Sequence, residues 1–531
     1  MGDSSDSSRI EANENNKDSE REVKYEDFEA ELAYLKDRIM KFKHELVNDI
    51  SSRSEAFKDE IENILKKNKY QFTGTDISLA KSTKLKHGSG IQEKVFVHRE
   101  SLLTELFKIS HIRTFRHIFI SILIIICAQI LIYDYTTTGK LNLDFDLFWF
   151  CFEGFQRTML LYWLPMQLSG LFLVYFFFKL WALKRQRTKS IIFDVLFLII
   201  YIIYLLLMIA VPLLNLFSVS VVCRIIVLTE QVRILMKIHA FVRSNITSVL
   251  YNSNYNEKHE SSKPKPSGCP EFSKYLYFMF APTLVYRNEY PRTKKVNWRS
   301  VSLYFAEIGG TIIYTYCLFD RFCVPVFGSL KVKELTLKSY VYLISISILP
   351  GALIQMMIFF SFLHSWHNAW AEMLRFGDRQ FYLDWWNSCS FNTYYRTWNT
   401  LVQDWLYNYV YVDCSKLLGK KYRALSQFLV IFISSIFHEH ILSFVFGFFY
   451  PVMFFLFSGF GFICLFIPRG NGAAWNVFVW ISLFSGIGIQ ICLFSVEWYA
   501  RRQCPQVFDS ALDYFIPRSI LCGLNNEIQG N

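Results

Sequence analysis

The chain has 531 residues, 52% hydrophobic, 18% aromatic and only 19% charged, with a formal net charge of +11. A soluble fold of this size cannot bury that much apolar surface, and several runs of about 20 apolar residues have the length that crosses a roughly 30 Å hydrocarbon core as a helix. The basic balance belongs to cytoplasmic loops, where Lys and Arg of membrane proteins collect, and so argues against nucleic-acid binding.

The expected fold is all-α and polytopic. Met1-Gly2-Asp3-Ser4-Ser5-Asp6 offers neither a basic n-region nor an apolar h-region, so the first true span is expected to direct insertion. Residues 1–23 are polar with almost no large apolar side chain and read as disordered. In residues 24–67, Phe28, Leu32, Leu35, Ile39, Phe42 and Leu46 fall in a 4-3-4-3-4 pattern, and Ile50, Phe57 and Ile64 resume it seven apart after a stutter. This predicts a cytosolic amphipathic helix, either lying on a surface or self-associating as a coiled coil. Residues 68–110 are a basic linker without a clear period.

A membrane domain is expected over 111–500, with spans near 117–133, 158–181, 191–215, 218–238, 301–320, 340–362, 425–448, 451–467 and 473–496. The fourth carries Arg224 and Glu230, so eight or nine spans fit. Lys184, Arg185, Arg187 and Lys189, with the basic stretch 237–299, mark the cytoplasmic side. The N-terminus then faces the cytosol and residues 501–531 form a lumenal tail. Cys504 and Cys522 flank a polar loop there and would pair if that side is oxidising.

Two stretches carry candidate chemistry. His438, in Ser434-Ser435-Ile436-Phe437-His438-Glu439-His440, sits inside an apolar span, where an ionisable side chain is costly and therefore a functional candidate. Apolar surroundings favour the neutral imidazole, the form able to accept a proton. Ser434 lies one turn earlier on the same face. His438 and His440 are roughly 200° apart on a helix, so they cannot share a metal, and no metal site is expected. The second stretch, 381–399, packs aromatic rings, amides, a carboxylate and an arginine between apolar segments. Asn387 and Asn399 suit holding a carbonyl or developing oxyanion, and Tyr395 and Arg396 suit adenine and phosphate. The bland alternative is an interfacial helix with Trp and Tyr at headgroup level. Cys389 has no histidine nearby in sequence, and nothing signals an activated thiol.

At these residues the chain resembles the membrane-bound O-acyltransferases, and within them the sterol O-acyltransferases (acyl-CoA:cholesterol acyltransferases). Phe381-Tyr382-Leu383-Asp384-Trp385-Trp386-Asn387 matches the motif shared by sterol and diacylglycerol acyltransferases, and Tyr394-Tyr395-Arg396-Thr397-Trp398-Asn399 is similar to the sterol branch. Further matches are Pro282 to Arg287 with Tyr290-Pro291-Arg292, Ala371 to Arg379, and Glu497 to Arg501 with Cys504-Pro505. The resemblance implies the fold of that family, with nine spans in the endoplasmic reticulum membrane, and a homodimer or homotetramer. Its catalytic histidine falls on His438 and its partner asparagine on Asn399. Acyl-CoA contacts map onto Tyr395, Arg396, Trp398, Tyr411, Arg423 and Ser434, and a lumenal disulfide onto Cys504 and Cys522. Two departures bear on acceptor preference: Gln403 and His440 stand where sterol enzymes usually show His and Tyr.

The expected reaction is transfer of a long-chain fatty acyl group from acyl-CoA, as co-substrate, to the 3-hydroxyl of a sterol within membrane lipid. His438 is the expected base, with no acyl-enzyme and no permanently bound cofactor. Diacylglycerol is the runner-up acceptor. A transporter would require internal repeats, which the sequence lacks, and a non-catalytic sterol binder would have no use for both His438 and Asn399.

Overall fold

The computed structural model describes residues 34–41, 94–139, 146–214, 216–258, 268–465, 472–506 and 512–522, together with Glu45, Asp49 and Ser52. It divides into two units, Met1–Ile91 and Gln92–Asn531. In the first, residues 34–41 are helical, with Leu35 and Ile39 exposed. The rest of the expected seam, and the expected disorder of 1–23, lie outside the described residues.

The second unit is helical; among the described residues its only β-type pairings are two isolated bridges, Arg99 with Asp378 and Arg292 with Phe376. A short helix, α1 (Leu102–Leu106), precedes the first span. Seven helical stretches are long and apolar enough to cross a membrane: α2 (Ser110–Thr137), α3 (Phe148–Arg187), α4 (Ile191–Ser218), α7 (Trp298–Gly328), α8 (Leu337–Met373), α12 (Arg423–Phe446) and α14 (Ala473–Gln503). Between them lie α5 (Val221–Lys258), α6 (Phe272–Phe280), α9 (Phe391–Trp398), α10 (Thr400–Trp405), α11 (Val412–Leu418) and α13 (Val452–Cys464), and α15 (Leu512–Phe515) follows. Ile191, Ile192 and Leu337 each leave about three-quarters or more of their surface open, the pattern expected where lipid replaces water.

Residues 221–238 of the expected span 218–238 belong to α5, which runs from Val221 to Lys258 and is too charged to count among the seven. One face of α5 meets protein, with Gln231, Ile234, Ile238 and Phe241 sealed from solvent. Its charges are met by fixed partners. Arg224 donates to the carbonyls of Val219 (2.6 Å), Phe217 (2.7 Å) and Val445 (3.0 Å). Lys237 donates to Phe278 O (2.6 Å) and Ala281 O (2.7 Å), capping the C-terminal end of α6. Arg233 pairs with Glu230 at 2.6 Å. Of the expected span 451–467, Val452–Cys464 is helical, and residues 466–471 lie outside the described residues.

Ion pairs and small residues hold the outer helices. Arg116 to Glu307 (3.2 Å) and Asp134 to Arg321 (3.3 Å) tie α2 to α7. They are about 27 Å apart along the axis at 1.5 Å per residue, close to the hydrocarbon thickness. α8 and α14 meet at Gly351 and Gly488: a Cβ on Gly488 would lie 2.7 Å from Ile348 Cγ1 and 3.1 Å from its Cα.

Within the segment read as a plain linker, residues 94–106 form a strap over the 376–382 loop. Arg99 binds both oxygens of Asp378 (2.6 and 3.1 Å), Arg99 N–H donates to Gly377 O (2.9 Å), and Lys94 pairs with Asp404. At the other end, Cys504 and Cys522 are bonded. The buried Glu497 accepts from Arg501 Nε (2.8 Å), Arg518 N (2.9 Å) and Ser519 N (2.9 Å). Arg518 beside Asp513 holds that carboxyl below the usual range. Because the folded value is depressed, this contribution is present at neutral pH and is lost only as pH falls through it.

Gly488→Val should overpack the α8–α14 contact at a cost of about 1–3 kcal/mol, read as a lower thermal midpoint of the purified protein; an unchanged midpoint would refute the close approach. In hydrogen exchange at neutral pH, Glu497→Ala should deprotect the amides of Arg518 and Ser519, while Cys504→Ser/Cys522→Ser leaves them protected. The reverse order would mean that the disulfide alone holds the tail.

Candidate active site

Three successive residues of α12 meet three different surroundings, as the 100° step of a helix requires. His438 is exposed: its Nδ1 lies 2.7 Å from Ser434 O, and its ring stacks on Phe457 with centroids 5.3 Å apart. A carbonyl only accepts, so Nδ1 carries a proton, and in the neutral ring the lone pair is left on Nε2.

Glu439 is buried and accepts from Phe454 N (3.0 Å), capping the first turn of α13 and so fixing the helix that carries Phe457. His440 points to α5, with Nε2 3.2 Å from Gln231 Oε1. Gln231 in turn donates to Met208 O (3.0 Å) and Ile209 O (3.1 Å). Pro212 has no N–H to offer Met208 O, which explains why a side chain does so.

Asn399 ends α9 and caps α10: its Oδ1 accepts from Val402 N at 3.2 Å. That contact fixes the amide, leaving Nδ2 as a donor without a partner among the described residues. No hydrogen bond joins Asn399 to His438. They are linked through rings, since Phe457 against His438 also touches Tyr395 (4.9 Å), one turn before Asn399. A substrate would have to bridge the two.

The 381–387 stretch divides sharply. Phe381, Tyr382 and Trp385 are sealed in the core, Trp386 is half-buried, and Asp384 and Asn387 are exposed. Leu383 N–H donates to Thr397 O (2.8 Å) and Thr400 N–H to Phe381 O (3.0 Å), stitching the loop to α9 and α10. Asn387 is thus exposed, and no contact among the described residues brings it to Asn399 or His438. Trp398 packs on Trp385 (4.5 Å) and Phe359 (5.2 Å). Tyr411 stacks on Tyr407 at 5.5 Å. Ser434 contributes its carbonyl, and Arg396 and Arg423 are exposed. Cys389 Sγ lies 3.6 Å from Asn387 O and Gly472 O. Among the described residues no group of three or more His, Cys, Asp or Glu side chains gathers as a metal site would require.

Sequence reasoning missed His364. It is buried in a widened π-helical segment of α8, Phe359–Trp366, with Nδ1 2.7 Å from Tyr382 Oη. Asn368, held by Ser101 Oγ at 3.0 Å, completes the cluster and ties it to the strap. The signal was a histidine in an apolar run, overlooked because the span was ended at residue 362.

The family model of the membrane-bound O-acyltransferases matches residues 150–496. The chain belongs to that family. Similar relatives of this membrane-bound O-acyltransferase include Sterol O-acyltransferase 1 of Mus musculus, 41% identical over 438 residues, covering 81% of this chain and 79% of the relative. Sterol O-acyltransferase 2 of Homo sapiens is 41% identical over 439 residues, covering 81% of each chain. The matched region contains every helix from α5 to α13, and hence His438, Asn399 and the 381–387 loop.

Tyr382→Phe would remove the shorter of two contacts at His364 Nδ1 and leave Asn368 Nδ2 at 3.3 Å, at a cost of about 0.5–1.5 kcal/mol. A lower thermal midpoint is expected; an unchanged midpoint would show that the pair carries no weight.

Proposed function

We propose that this acyltransferase moves a long-chain fatty acyl group from acyl-CoA to the 3-hydroxyl of a sterol such as cholesterol, giving a steryl ester and free CoA. The sterol acceptor is supported by the names of its relatives. The chemistry is carried by one observation: Nδ1 of His438 lies 2.7 Å from Ser434 O, a contact that commits Nδ1–H and leaves Nε2 as the ring's open nitrogen.

Nε2 takes the hydroxyl proton as the oxygen attacks the thioester carbonyl. Asn399 Nδ2 stabilises the oxyanion of the tetrahedral intermediate, its amide oriented by Val402 N. The C–S bond then breaks, and the thiolate leaves as the thiol with the proton from His438. Attack is direct, so no acyl-enzyme forms and no resident cofactor or metal is needed. An enclosed site keeps water from competing for the thioester. Tyr395, Arg396, Trp398, Tyr411, Arg423 and Ser434 are proposed to receive acyl-CoA from the cytoplasmic side. Residues 24–67 are proposed to assemble homodimers or homotetramers. The proposed setting is the endoplasmic reticulum membrane, N-terminus in the cytosol and C-terminus in the lumen, which suits the Cys504–Cys522 bond.

The test uses purified full-length protein with labelled oleoyl-CoA, offered cholesterol or diacylglycerol. Label should move to cholesterol, with turnover falling about 10²–10⁴-fold in His438→Ala and about 10²–10³-fold in Asn399→Ala, both eluting like wild type. Transfer to diacylglycerol instead would overturn the acceptor, and full activity in His438→Ala would overturn the base.

A further inference from the structure

We propose that His367 is a second substrate-binding histidine, whose Nε2 accepts a hydrogen bond from an amide N–H of the pantetheine arm of acyl-CoA. This rests on the acyl-CoA reaction proposed above.

His367 follows the π-helical segment of α8, and its Nδ1 lies 2.6 Å from Phe362 O. As at His438, the carbonyl can only accept, so Nδ1 carries the proton and the neutral ring leaves Nε2 as an acceptor. His364, one turn earlier, is buried and meets Tyr382 and Asn368 at Nδ1, whereas His367 is half-buried and its Nε2 has no partner among the described residues. Nor is it sealed off: protein surrounds the ring, but the residue is only half-buried and Nε2 is not an enclosed, unsatisfied atom. His438 and His367 thus share one arrangement, a histidine on a membrane-spanning helix with Nδ1–H tied to a carbonyl of that helix and no partner at Nε2 among the described residues.

The ring's neighbours place it on the Asn399 side. It packs on Phe381 with centroids 5.3 Å apart, and the Phe381 carbonyl accepts from the N–H of Thr400, next to Asn399. Lys237, the charged group bearing on it from α5, gives two of its three ammonium donors to Phe278 O and Ala281 O, and no bond from it to His367 is formed. An acceptor-only nitrogen here calls for an N–H or O–H donor from a ligand. The reaction brings the acceptor's hydroxyl and the donors of CoA, among which the two pantetheine amide N–H groups lie nearest the thioester and the pantoyl hydroxyl and adenosine groups lie farther along. The hydroxyl's single proton goes to His438, and the thioester belongs at Asn399, so the amide is the matching donor.

The test compares wild type, His367→Leu and His367→Gln, which retains an acceptor oxygen. His367→Leu should raise KM for oleoyl-CoA about tenfold, with kcat and KM for cholesterol within about twofold, and His367→Gln should recover most of the loss. Oleoyl-CoA with N-methylated pantetheine amides should bind wild type and His367→Leu equally weakly. An unchanged KM, a loss confined to kcat, or a rise only in the cholesterol KM would overturn the proposal. Should both variants fail to fold, wild type decides alone: equal KM for native and N-methylated donors overturns it. Direct binding of oleoyl-CoA separates this proposal from the reaction it rests on. Wild type that binds more tightly than His367→Leu yet transfers nothing would uphold His367 and sink acyl transfer.

Discussion

Hydrocarbon offers no hydrogen bonds, so every polar group inside the bundle must find its partner within the protein. The central helix α5 meets that demand residue by residue. Arg224 holds three carbonyls, Gln231 supplies the donor that Pro212 withholds, and Lys237 caps the end of α6. In the candidate site, three side chains are instead each held by a bond at one polar atom while the other polar atom is left for a ligand: Nε2 of His438, Nδ2 of Asn399 and Nε2 of His367, two acceptors and a donor.

The same demand explains how these groups are aimed. On α12, Glu439 and His440 are tied to α13 and α5, which leaves the helix little freedom to rotate and sets His438 between them. The 381–387 loop contributes mainly as a foundation. Its buried aromatics and backbone bonds fix the junction of α9 and α10, where Asn399 sits, and Tyr382 joins that junction to His364 in α8. The strap at 94–106 closes the arrangement from outside through Asp378 and Asp404.

Much of this was legible in the chain. Long apolar runs announced membrane helices, because length and hydropathy alone decide whether a segment suits lipid. His438 stood out as an ionisable residue in such a run, and the density of aromatics and amides at 381–399 marked that stretch. Less legible was α5, since hydropathy cannot tell a helix facing lipid from one facing protein. The strap was equally hidden: Lys94, Glu100 and Arg99 look like ordinary linker charges until Asp404, Arg379 and Asp378 are brought to them.

By itself, then, the sequence determined the membrane class, the residue types available for chemistry and the helix faces they occupy, since these follow from composition and a local period. Which of those residues are spent on structure and which remain open was decided only by the tertiary fold. Asn387 and Asn399 are the same side chain in the same stretch, yet one is exposed and the other caps α10 with its amide N–H free. His364, His367, His438 and His440 are likewise chemically equal, yet the first and last meet side chains distant in sequence, Tyr382 and Gln231, while the other two are tied only to a carbonyl of their own helix. The physical reason is that a side chain's availability depends on bonds to residues far away in sequence, which no local pattern encodes.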